Sequence, residues 1–238
     1  MNKNKFPGNL YSLYTQEQLL REKAIEIIQD QPKLLLHLNL IERTMSLANI
    51  ARDYSTDDED LKVIQMLSIR LFNAFGASLK LVLSGYHQKG AMIMRDILET
   101  VFLMDLFNTD HTAIERWRNG DKKQRKKEFS PVSVRKALDA RDGLDTQKRA
   151  KAYEMLSELA SHPTMWTQNM LKAELDGDIL MGPFIGDTIL QQGFDELGRL
   201  AAQAGEVIDA FLPQEWDPED VRQSFTRIKS EWLKTFYT

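Results

Sequence analysis

The chain contains no cysteine, which excludes disulfides, thiolate metal sites and cysteine nucleophiles. It also fits a reducing compartment, and a cytoplasmic location is the expectation. Histidine is scarce, with four in 238 residues, and none falls in a His-Glu-x-x-His or Glu-x-x-His pattern. No metal site and no cofactor are therefore expected. The phosphate-cradling Gly-x-x-x-x-Gly-Lys-Ser/Thr loop, the Gly-x-Gly-x-x-Gly turn and the Gly-x-Ser-x-Gly elbow are absent. Runs that read as consecutive parallel strands are missing too, which excludes sheet-based nucleotide folds. "MNKNKFPGNLYSLY" has two lysines but no apolar core, so no signal peptide is expected. Arg95 and Glu99 interrupt the best apolar run, so no membrane span and no membrane partner are expected.

What is present is ordinary globular material, 42% hydrophobic and 28% charged. The net charge of −4 conceals an asymmetry. Residues 116–151 hold 13 Lys/Arg against 5 Asp/Glu, whereas the remainder holds 18 against 30. Segregation of this kind steers a polyanion to one face, or binds a basic segment to the protein's own acidic surface.

Helical signals dominate. Thr15 is placed to cap "QEQLLREKAIEIIQ", and Pro32 opens "PKLLLHLNLIERTMSLANIARDY" from a first-turn position. Thr56, followed by Asp57, Asp58 and Glu59, starts a long helix that Gly85 ends. "AMIMRDILETVFLMDLF" follows after a short link and should lie antiparallel to it. Ser130-Pro131 and Gly143 bracket another helix, and Pro163 stops "DTQKRAKAYEMLSELASHP" near His162. In "NMLKAELDGDILMGPF", Leu171, Ala173 and Leu175 alternate before an Asp176-Gly177 turn, which reads as a short β-hairpin near 170–184 or as a loop. Leu190, Phe194, Leu197, Ala201, Ala204, Ile208 and Phe211 form a stripe on a helix where Gly193, Gly198 and Gly205 admit close neighbours. The expected fold is an all-α, antiparallel multi-helix bundle. It forms one domain over residues 1–238, with a peripheral N-terminal helix in 1–31 and a C-terminal helical pair in 187–238.

The helix of residues 91–107 is apolar all round yet carries Arg95, Asp96 and Glu99. At 100° per residue, Glu99 falls about 40° from Arg95, so the two can pair, flanked by Met92, Phe102 and Leu106. Asp96 points about 100° away and needs another partner, which makes it a ligand-binding candidate. A buried charge must be paired. Either Arg95–Glu99 is a structural ion pair, or it lines a polar pocket in which the guanidinium fork grips phosphate or carboxylate and Glu99 acts as orienter or base.

Among the histidines, His37 reads as a core residue beside Leu34, Ile41 and Met45, and His87 and His111 read as exposed turn residues. His162 is the catalytic candidate, spaced by four from Glu158 and Glu154. "ERWRNGDKKQRKKEF" packs seven basic residues between Arg116 and Lys127, with Trp117 and Phe129 beside them. Lys122, Lys123, Arg125, Lys126 and Lys127 are thus candidate nucleic-acid contacts, and a solvated charged loop is the alternative.

Arg95-x3-Glu99, with "LSELASHPT" and "DGDILMGP" downstream, resembles uncharacterised bacterial all-helical proteins known as domains of unknown function. The resemblance spans about Leu67 to Pro183. It implies that Arg95, Glu99, Ser161 and His162 share one site, and it implies no established activity. A more distant resemblance, to the helical nucleotide-binding and RNase superfamily of bacterial toxin and defence systems, stops at the catalytic signature. That signature is an Arg followed by a His after four to six residues, and none of the four histidines has one.

Three functional expectations follow. The first is a cytosolic interaction or regulatory protein, homo-oligomeric, with a structural Arg95–Glu99 pair. The second is an enzyme or ligand-binding protein with a polar inter-helix pocket that uses Arg95, Glu99 and His162. The third is a nucleic-acid-binding accessory protein that uses the basic stretch.

Overall fold

A computed structural model describes residues 6–144, 147–174 and 176–237. Ten α-helices appear among them: α1 (Gly8–Asp30), α2 (Pro32–Asp53), α3 (Glu59–Leu83), α4 (His87–Thr109), α5 (Thr112–Asn119), α6 (Lys122–Glu128), α7 (Pro131–Arg141), α8 (Lys148–Leu156), α9 (Asp187–Asp209) and α10 (Val221–Tyr237). A π-helical turn, Ser157–Ser161, prolongs α8, and 3-10 turns span Met165–Leu171 and Pro218–Asp220.

The caps show why several helices begin where they do. Asp58 Oδ1 accepts from the backbone N–H groups of Asp60 and Leu61 at the start of α3. Thr56 sits two residues earlier, accepting from the Asp58 N–H. Ser130 caps α7 and Pro131 occupies its first position. Thr15, expected as a cap, lies inside α1 and bonds back to the Tyr11 carbonyl. That helix starts a full seven residues earlier at Gly8 because nothing between Gly8 and Thr15 breaks it.

The centre of the bundle is α2, α3, α4 and α9. α10 lies chiefly on α2 rather than on α9. α5, α7, α8 and the π-helical turn wrap the outer side of α4, which accounts for that helix being apolar nearly all round. α1 buries only Ala24 and Ile28. One continuous apolar cluster runs from Ala24 to Trp232. Polar bonds pin it: buried Thr44 Oγ1 donates to the Ala201 carbonyl over 2.9 Å, joining α2 to α9. α3 has the length and composition of a membrane-crossing helix, so the expectation that no run reaches that length needs correction. Its apolar inner face, including Val63, Leu67, Leu71 and Phe75, is spent on the core.

The β-hairpin near 170–184 does not form: there is no strand among the described residues. Leu175, part of the expected alternation, lies outside them. A turn does occur, with the Gly177 N–H bonded to the Glu174 carbonyl, and one bond crosses it from the Leu180 N–H to the Leu171 carbonyl. Residues 165–171 wind into the 3-10 turn, so that side of the turn is extended only after Leu171. Residues 176–186 instead strap across the α3–α4 corner, where the Phe184 N–H bonds the Gly85 carbonyl. Gly85 has φ +86°, and any Cβ there would strike the Phe184 backbone.

Candidate functional site

Arg95 and Glu99 pair across one turn of α4 at 3.1 Å, with side chains 23% and 31% exposed. The Arg95 guanidinium also donates to the Tyr153 hydroxyl from α8 and sits 4.7 Å from the Tyr153 ring centre. Asp96 finds its separate partner in Arg70 of α3. Both acids line a crevice of about 340 Å³ between α3, α4, α5 and α7. Its apolar walls include Leu67, Phe102, Leu103, Trp117, Phe129 and Val134.

The residue that sequence reasoning missed is Arg135, also in this wall. It is 8% exposed, and its guanidinium stacks on Tyr153 at 4.0 Å. It makes no hydrogen bond or ion pair among the described residues, and its Nη1 is buried without a partner. Arg95 Nε is buried and unpartnered as well. The available signal was weak: Arg135 stands beside Val134 and three residues before Leu138, on the buried side of a short helix. A desolvated guanidinium without a counter-charge is costly, typically several kcal/mol. Cation–π contact with Tyr153 returns only about 0.5–2 kcal/mol. The crevice therefore holds an unspent fork of N–H donors in an aromatic-walled space.

Ser161 and His162 do not contribute to this wall. His162 is exposed where the π-helical turn ends, and its imidazole makes no hydrogen bond or ion pair among the described residues. Only its backbone is engaged, with the N–H on the Ser157 carbonyl and its own carbonyl accepting from Thr164 and Thr167. No hydrogen bond or ion pair among the described residues links Ser161 or His162 to Arg95 or Glu99.

Lys122, Lys123, Arg125, Lys126 and Lys127 all lie exposed on α6. Arg125 donates to the Gly120 carbonyl, while the four lysines make no ion pair among the described residues. Trp117 and Phe129 turn inward, each edge-on to buried Phe107 at about 6 Å between ring centres. They anchor α5 and the end of α6 to the core and do not form an outer stacking platform.

The other histidines diverge. His37 is buried: its Nδ1 accepts from Trp232 Nε1 over 2.8 Å, and its Nε2 lies 2.9 Å from Asp195 Oδ1, out of line for an ideal bond. Burial pulls its pKa down, opposed by the Asp195 charge. His87, expected in an exposed turn, is only 3% exposed, and Phe184 of the 176–186 strap lies against it. A broad outer cleft of about 770 Å³ is edged by Arg141 and Arg149. Those arginines are already paired with Asp105, Asp139 and Asp142. No protein-family model, curated protein or solved structure matches this chain.

Proposed function

We propose that the protein is a helical ligand-binding regulator that takes a small organic anion with an apolar body into the crevice between α3, α4, α5 and α7. One observation carries this reading: Arg135 is nine-tenths buried, unpaired and in the crevice wall. Arg70 and Arg95 are already matched to Asp96 and Glu99, so Arg135 is the charge that an incoming anion would balance. A guanidinium suits carboxylate because two parallel N–H groups meet two oxygens. The aromatic and aliphatic walls select against a bare inorganic ion and for a carboxylate on a ring or short chain. In this reading the Arg95–Glu99 pair positions Tyr153, which in turn supports Arg135. A catalytic role for Glu99 gains no support, since its partner Arg95 already engages it and no histidine joins them.

The test is calorimetric titration with benzoate, hexanoate and inorganic phosphate, on the parent and on Arg135→Met. The expected result is saturable binding of the two carboxylates, weak or no binding of phosphate, and loss of binding in the variant. Methionine keeps most of the volume and removes the charge. Absence of saturable carboxylate binding, or unchanged binding in Arg135→Met, sinks the proposal.

A further inference from the structure

A second cavity, of about 350 Å³, opens against another face of α4, between that helix, the π-helical turn, the 3-10 turn after it, and α9. Its lining is mostly apolar, with Val82, Ala91, Leu159 and the three methionines Met94, Met155 and Met170. Flexible thioether side chains of this kind re-shape around varied apolar guests. The wall includes Leu159 of the π-helical segment, a distortion that often accompanies a binding function.

One polar group in that wall is unsatisfied. His87 is 3% exposed, and its Nε2 lies 3.0 Å from the Phe184 carbonyl oxygen. A carbonyl only accepts, so Nε2 carries the proton and Nδ1 is left with a lone pair. That Nδ1 is buried and has no partner. Of the cavity's other polar residues, Gln192 is exposed to solvent and the charged ones are already engaged. Arg199 donates to Glu196 over 3.2 Å, and Asp195 faces His37 at 2.9 Å.

We propose that this cavity is a binding site for an uncharged, mainly apolar molecule bearing one hydrogen-bond donor, of which an aliphatic alcohol is the simplest case. The donor meets His87 Nδ1, and the apolar remainder lies among the methionines. Charge is unwelcome at this end, because burial keeps the imidazole neutral, with its pKa pushed down to about 4. The volume is near the lower end for small-molecule sites, roughly 300–1,000 Å³, which limits the guest to a compact molecule. This site is independent of the Arg135 crevice and asks for the opposite chemistry, a neutral donor rather than an anion.

The experiment compares two isomers, 1-hexanol and methyl pentyl ether, which share the same atoms but differ in having a donor. The chain is labelled with ¹³C at its methionine methyls, and each compound is titrated by NMR. The expected result is a saturable shift of the Met94, Met155 and Met170 methyls with 1-hexanol, while the fully exposed Met181 stays put. The ether should bind about tenfold more weakly, the loss of one hydrogen bond. His87→Phe should erase the preference, and Arg135→Met should leave it intact, which separates this site from the anion crevice. No saturable shift, or equal affinity for the two isomers, overturns the proposal. The isomer comparison is made on the unaltered chain, so it decides the matter even if His87→Phe fails to fold.

Discussion

Trp232 donates its indole N–H to His37 Nδ1 over 2.8 Å, joining two residues 195 positions apart. Phe236 stacks on the imidazole, with ring centres 4.3 Å apart. The arrangement closes α10 onto α2, and it works only because α9 offers no side chain at Gly198. A Cβ there would collide with His37 Nδ1 and come within 3.2 Å of the Trp232 indole nitrogen.

Gly198→Ala should therefore destabilise the fold by about 2 kcal/mol. Overpacking costs about 1–3 kcal/mol, and the usual helix gain on replacing glycine, about 0.5–1 kcal/mol, offsets only part of it. Gly193→Ala is the control. Its Cβ would meet Val82 at an ordinary 3.5 Å, so it should stabilise by about 0.5–1 kcal/mol. Urea unfolding of the two variants checks the sign, and equal effects would refute the Gly198 account.

Arg135→Met should raise the stability of the unliganded protein by about 1 kcal/mol or more. Relief from burying an unpaired guanidinium outweighs the lost stacking on Tyr153. A fall in melting temperature would show that the buried charge is already compensated.

Tyr153 separates two contributions. Tyr153→Phe removes the hydroxyl that Arg95 reaches but keeps the ring beneath both guanidiniums, and should cost about 1 kcal/mol. Tyr153→Leu also removes the cation–π contacts and should cost at least about 1 kcal/mol more. Indistinguishable stabilities would mean that the ring contributes nothing to holding the arginines.

His87 sets a pH dependence whose sign is fixed by linkage. Burial lowers its folded pKa from 6.5 to about 4. Between those values the unfolded chain holds a proton that the folded one refuses. Its contribution is full above pH 6.5, declines as the pH falls towards 4, and is flat below that; the total is about 3 kcal/mol. Glu196, whose pKa burial raises, acts in the opposite direction. Subtracting the His87→Gln profile from the parent cancels that term. A difference that does not vary between pH 7 and 4 would place the imidazole in contact with water.

His162→Ala should change stability by less than about 0.5 kcal/mol, because the imidazole is exposed and makes no polar contact. Carboxylate binding should also be unchanged. Lost binding would return His162 to the candidate site.

Much of the helical architecture was readable because its signals are local. Asp58 and Ser130 cap helices close to where the acids and the Ser-Pro pair pointed. The stripe on α9 is buried from Leu190 to Ile208, with Phe211 half-buried past the helix end, and two of its three glycines, Gly198 and Gly205, do seat a neighbour, His37 and Phe225 respectively. The separate partner required for Asp96 is Arg70, on a helix that helical periodicity alone could not select. Harder to read was whatever depends on a strap or a third helix. His87 looked exposed because its cover comes from Phe184, nearly a hundred positions later. Arg135 stayed hidden because an arginine on a short, charge-rich helix has the same local pattern whether or not it meets a carboxylate. The alternation near residue 173 suggested a strand, but pairing needs two extended arms, and one of them winds into a 3-10 turn.

The reach of the His37–Trp232 bond has a consequence during synthesis. α2 leaves the ribosome far ahead of α9 and α10, the helices that cover most of it. His37 and Thr44 must wait for their partners on α9 and α10 while well over a hundred further residues are made. Contacts of such wide sequence separation slow closure and prolong the exposure of sticky surface. The nascent chain should depend on chaperones until α9 arrives, and a slowly translated message should raise that dependence.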